Sequence, residues 1–150
     1  MNARPITARE VWRLRRLTLE AMLRLCAAWL LVRFVPLGYW RGRLGTAAPA
    51  DTPDACPPDD LATIAQARRL ALHVERAAAR LPFATKCLPR AVALARMLQV
   101  RRQRYSLRIA TRPPQERGGA DDLHAWVEVG QVKVIGDLPG NWVILLNLLD

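Results

Sequence analysis

The sequence predicts an α+β fold, with helices packed on a small antiparallel sheet. Two observations carry that prediction. Before position 100, apolar residues recur at three- and four-residue spacing, the period of an amphipathic helix. After it, the segments 105–111, 123–129 and 132–137 alternate as half-buried strands do, and the last two are separated only by Gly130-Gln131.

The chain of 150 residues fits one domain, 1–150, and 51% of its residues are hydrophobic, which excludes a disordered chain. Three stretches are predicted within it: a basic, apolar helical region over 1–44, a loop over 45–58 and a core over 59–150. The net charge of +10 comes almost wholly from arginine, because Lys86 and Lys133 are the only lysines. Residues 1–50 hold nine arginines against Glu10 and Glu20. Such a segment suits an acidic partner, a membrane surface or a solvated helix face. Nucleic acid is not an expected partner, since aromatic residues are only 6% and no recognition motif is present.

Thr7, with Glu10 three residues on, reads as a capping box opening a helix that runs to about Val35. Pro36 and Gly38 stop it. Trp12, Leu19, Leu23, Cys26 and Leu30 form one apolar stripe, and stripes of this kind usually face a core. The most apolar run, residues 25–32, has eight uncharged positions between Arg24 and Arg33, against the ~20 that a spanning helix needs. Contact with a membrane surface through residues 10–44 stays open. Residues 45–60 are rich in Pro, Ala and Asp and read as a surface loop, with Cys56 an exposed thiol. Asp59 or Asp60 caps the next helix, which ends at Leu81-Pro82. His73 lies on that helix and reads as a structural histidine.

Lys86-Cys87-Leu88-Pro89 opens a third helix, with proline in the first turn, where it is tolerated. The thiolate is the nucleophilic form of cysteine, and a helix N-terminus favours it. The same unpaired amides suit an oxyanion. Cys26, Cys56 and Cys87 have unlike contexts and no Cys-x-x-Cys spacing, so neither a disulfide framework nor a metal site is expected. Reduced thiols fit a cytoplasmic setting.

Val129-Gly130-Gln131-Val132 reads as a two-residue type II′ turn with glycine first. Its register pairs Val129 with Val132, Glu128 with Lys133 and Trp126 with Ile135, and so sets His124 opposite Asp137. Directly opposed side chains have Cβ atoms about 5 Å apart, within reach of a carboxylate–imidazole hydrogen bond. Cys87, His124 and Asp137 are therefore candidates for nucleophile, base and orienter. Residues 112–122 lead straight into His124. They read equally well as a cleft border or as a plain connector.

The segments CLPRAVALARML, HAWVEV and VIGD resemble the transglutaminase-like, papain-type cysteine peptidases of lasso-peptide maturation. The likeness covers about residues 10–140. It implies Cys87 as nucleophile, His124 as base and Asp137 as orienter, in a leader peptidase acting on a ribosomally made precursor peptide. It also implies two protein partners, a separate leader-recognition protein and a macrolactam cyclase. The strand-rich recognition domain of some family members has no counterpart in the helical first 50 residues, which resembles the split form. The family's glycine after the cysteine helix is replaced by Arg101-Arg102-Gln103-Arg104. No cofactor is called for, and a nucleotide requirement is left open. An amine acyltransferase with the same triad, or a non-catalytic docking scaffold at a membrane or partner, are the competing expectations. The expected location is cytoplasmic, with peripheral contact at the membrane as an option.

Overall fold

The computed structural model describes residues 7–58, 60–119 and 121–150. The α+β architecture is as the sequence predicts. Helix α1 spans Ala8–Phe34, and a short α2 (Leu37–Trp40) follows it. Strand β1 (Thr46–Ala48), α3 (Leu61–Ala78) and α4 (Cys87–Val100) come next. Four strands complete the chain: β2 (Ser106–Thr111), β3 (Leu123–Val129), β4 (Val132–Ile135) and β5 (Val143–Leu149). The sheet order is β1-β5-β2-β3-β4, and every pairing is antiparallel. Helices α3 and α4 pack on the sheet, and α1 packs on α3 and α4.

The capping box forms as predicted. The Thr7 amide donates to Glu10 Oε2 at 2.8 Å, and the Glu10 amide donates to Thr7 Oγ1 at 3.3 Å. Asp60 caps α3 by accepting from the Thr63 amide at 3.1 Å. The alternative cap, Asp59, lies outside the described residues. Helix α4 is buried on nearly every side, from Ala91 through Ala95 and at Met97 and Leu98. Each such leucine removed from water contributes roughly 2 kcal/mol. Ala125, Val127 and Val129 of β3 join Leu107 and Ile109 of β2 in this core. His124, Trp126 and Glu128 alternate with them along the strand.

Three expectations are corrected. The stripe of α1 faces outward. Trp12, Leu19, Leu23 and Leu30 are exposed, Cys26 is half-buried, and Ala21, Leu25 and Ala28 make the buried side. Helix α1 carries apolar residues on two sides, and the side with Ala21, Leu25 and Ala28 packs against α3 and α4. The stretch 45–58 is not only surface loop. Residues 46–48 pair with β5, and Asp54 and Cys56 are buried. Asp54 Oδ1 accepts from the amides of Cys56 (3.0 Å) and Gly130 (3.1 Å), which pins the loop to the β3–β4 turn. Burial raises the Asp54 carboxyl above its ordinary range, against those amide bonds. Finally, the turn is type I′, because Gly130 (φ 59°) and Gln131 (φ 63°) are both left-handed.

Candidate active site

The β3–β4 hairpin begins as predicted, with Val129 opposite Val132 and Glu128 opposite Lys133. It then slips. Val127 pairs with Ile135, so β4 carries one extra residue, Val134, as a β-bulge. The predicted opposition of His124 and Asp137 is lost at that bulge. Gly136 follows it with φ 76°, and a side chain there would come 2.5 Å from the Ala125 carbonyl oxygen. Only glycine lets the chain turn so close to β3.

That turn delivers a different partner to the imidazole. His124 Nε2 lies 2.6 Å from the Gly136 carbonyl oxygen. A carbonyl can only accept, so Nε2 carries the proton. In the neutral ring Nδ1 is then the free base. Asp137 sits one residue further on, with its side chain 78% exposed and its carboxylate 3.7 Å from Lys133 Nζ.

The His124 ring is wedged by aromatics. Trp126 stacks at 5.8 Å between centroids, and Trp142 lies at 4.9 Å. Trp126 is held in turn, since its indole N–H donates to Glu128 Oε1 at 2.7 Å. Glu128 pairs with Arg108 at 3.1 Å in a nearly buried ion pair. His124 is itself only 9% exposed. Its ring orientation is therefore fixed by a hydrogen bond and by packing together.

Cys87 is the first residue of α4, as predicted. Its N-cap, Lys86, makes no side-chain cap bond, which leaves the first-turn amides without a side-chain acceptor. Lys86 reaches toward the loop before β3. Its ammonium is largely exposed and lies 4.0 Å from Asp121. The thiol points at the start of β3, with Sγ 3.9 Å from the carbonyl oxygen of Leu123, the residue before His124. The approach to Cys87 is braced by Arg90, which bonds Thr85 Oγ1 at 3.1 Å and pairs with Glu75 Oε2 of α3 at 2.9 Å.

Cys87 and His124 line two cavities together. The smaller, about 350 Å³, also contains Gly136, Asp137, Thr85 and Arg90. The larger, about 750 Å³, has Trp29, Val32, Leu88 and Leu138 as its apolar lining. Asp121 and Asp122 reach it from the loop before β3, so that loop borders the cleft. Of the three candidates named from sequence, all border the smaller cavity. Gly136, Trp142, Arg90 and Trp29 are not among the site residues to which the sequence points. Gly136 carried a usable signal, a glycine directly after a strand beside a candidate acid. The others are brought in only by tertiary packing. Among the described residues no group of three His, Cys, Asp or Glu side chains is arranged to hold a metal. Nor is any helix there long and apolar enough to cross a membrane.

Comparison with curated proteins and with solved structures gives no match. A family model, the transglutaminase-like superfamily, matches residues 30–143, which include α3, α4 and the strands that carry the cavity. Activities in that superfamily are usually those of cysteine proteases or acyltransferases. With well over half of its length matched, the chain belongs to the transglutaminase-like superfamily.

Proposed function

We propose that the protein is a cysteine peptidase that removes the leader from a lasso-peptide precursor. One observation carries the reading most strongly. Cys87 at a helix start shares a cavity with a histidine whose Nε2–H is tied to a carbonyl, leaving Nδ1 free to take a proton. In this mechanism the thiol proton passes to His124 Nδ1, and Cys87 Sγ attacks the scissile carbonyl. First-turn amides of α4 stabilise the resulting oxyanion. The imidazolium then protonates the leaving amine, the C–N bond breaks, and a thioester remains. His124 next takes a proton from water, the hydroxide adds to the thioester, and the thiol leaves with that proton. Leader and core each end as a free peptide, and no cofactor enters the balance.

Gly136 sets the tautomer through its main chain, and Asp137 contributes a negative charge at the cavity wall. The leader is presented by a separate recognition protein, and the released core passes to a macrolactam cyclase, all in the cytoplasm. Support for the substrate class is the resemblance of the Cys87, His124 and Asp137 segments. The superfamily also holds acyltransferases, in which an amine replaces water in the second half-reaction. Mass spectrometry of the reaction of precursor, recognition protein and this chain separates the two. The peptidase reading requires a free carboxylate at the cut, with one oxygen drawn from labelled water. An amide to an added amine at that position would instead assign acyl transfer.

A further inference from the structure

The outward stripe of α1 is unexplained by any of this chemistry. Trp12, Leu19, Leu23, Leu30 and Phe34 are each half or more exposed, on a helix whose opposite side is packed into the protein. From Trp12 to Phe34 the stripe extends about 33 Å at 1.5 Å per residue. Tyr39, just past the helix and 82% exposed, continues the aromatic surface. A row of exposed apolar side chains this long marks an interaction site.

Its charge selects the partner. At 100° per residue, Arg15 and Arg33 fall along one edge of the stripe, and Arg9 and Arg16 along the other. All four are exposed and make no ion pair among the described residues. Both acids of the helix are consumed internally. Glu10 closes the capping box, and Glu20 pairs with Arg24 at 2.9 Å and Arg101 at 2.8 Å. The outer face therefore presents apolar side chains and positive charge only. A long helix face of one sign, with Trp and Phe near its ends, matches a flat anionic surface with an apolar interior.

We infer that α1 docks the protein on an anionic lipid bilayer, lying in the headgroup plane with Trp12, Leu19, Leu23, Leu30 and Phe34 inserted. The inference does not depend on the peptidase reading. It does place the cleft. Trp29, Val32 and Arg33 of the same helix line the cavity shared by Cys87 and His124, so docking sets its mouth beside the membrane surface.

The test is flotation of the full chain with phosphatidylcholine vesicles, with or without phosphatidylglycerol, at low ionic strength. The protein is expected to float with the anionic vesicles, and salt is expected to weaken it. Arg15→Gln with Arg16→Gln should lower affinity by about fivefold for each arginine. Leu19→Glu with Leu23→Glu should lower it more than tenfold while the thermal melt stays unchanged. Leu72→Glu, on an exposed position of α3 away from the stripe, should float like the parent. Failure of the parent to float on anionic vesicles at low salt overturns the inference. So does undiminished flotation of the Leu19/Leu23 variant. A stable dimer that the same double substitution disperses would assign the stripe to a second copy, and capture of an acidic protein partner without vesicle binding would assign it to that protein.

Discussion

Replacing Gly136 is expected to damage catalysis more than replacing Asp137, the reverse of what a carboxylate-oriented triad requires. The Asp137 side chain is 78% exposed and its carboxylate pairs with Lys133 at 3.7 Å. An exposed charge of this kind is worth up to ~1 kcal/mol, which is less than a tenfold change in rate. Asp137→Ala should therefore keep at least about a tenth of kcat/KM by that arithmetic. Gly136→Ala faces two obstacles. Its φ of 76° costs an L-residue about 1–2 kcal/mol. Its new Cβ would also stand 2.5 Å from the Ala125 carbonyl oxygen and 3.0 Å from Trp126 Cβ. The turn has to move, and the carbonyl that holds His124 Nε2 moves with it. Misplacing a catalytic group by about 1 Å costs on the order of 10²-fold. Single-turnover leader cleavage followed by mass spectrometry gives the rates. The nitrogen shifts of the His124 ring by NMR give the tautomer independently of any activity. In the parent and in Asp137→Ala the proton should sit on Nε2. A thousandfold loss in Asp137→Ala beside a near-parental Gly136→Ala would refute the assignment of the carbonyl.

Two further predictions concern stability. The Tyr105 side chain is fully buried and its hydroxyl donates to the Leu44 carbonyl, with burial pushing its ionisation far above the ordinary value. Tyr105→Phe leaves that carbonyl unpaired and should cost about 1–3 kcal/mol, read as a lower midpoint in urea unfolding at unchanged slope. His73 is buried and its Nδ1 lies 2.8 Å from Thr18 Oγ1, and burial, with Arg76 adding to it, lowers its pKa below 6.5. The unfolded chain then binds the proton more readily than the folded one. Stability is expected to be full above the unfolded value and to fall as pH drops through 6.5 toward the folded value. Urea midpoints across that window should show the slope in the parent and a shallower one in His73→Gln.

Local chemistry was legible in the sequence wherever the signal was local. The Thr7–Glu10 capping box, the bounds of β3 and the start of α4 at Cys87 each depend on residues within a turn of one another. The register of the hairpin was legible only for its first two pairs. Nothing in the alternation of Val132, Lys133, Val134 and Ile135 marks the bulge, because an extra strand residue is specified by what packs on it. The leading glycine points to type II′, whereas Gln131 also adopts the left-handed conformation that the strand twist favours. The direction of the α1 stripe was not legible either. Periodicity finds an apolar face, but α1 has two, and the one built from Ala21, Leu25 and Ala28 fits closer against α3 and α4. Asp54 and Cys56 lie in a stretch that reads as loop, and long-range bonds to the Gly130 turn are what bury them.

The central claim is that Cys87 is the nucleophile of a leader peptidase, and its most direct test is trapping the thioester. Parent protein, recognition protein and precursor, quenched in acid during turnover, should yield an adduct on the peptide containing Cys87. Its mass should be that of the acyl portion of the precursor, and hydroxylamine should remove it. Cys87→Ala should form no adduct and cleave no leader, with its thermal melt unchanged. Undiminished leader cleavage by Cys87→Ala, or an adduct on Cys26 or Cys56 in its place, would contradict the account.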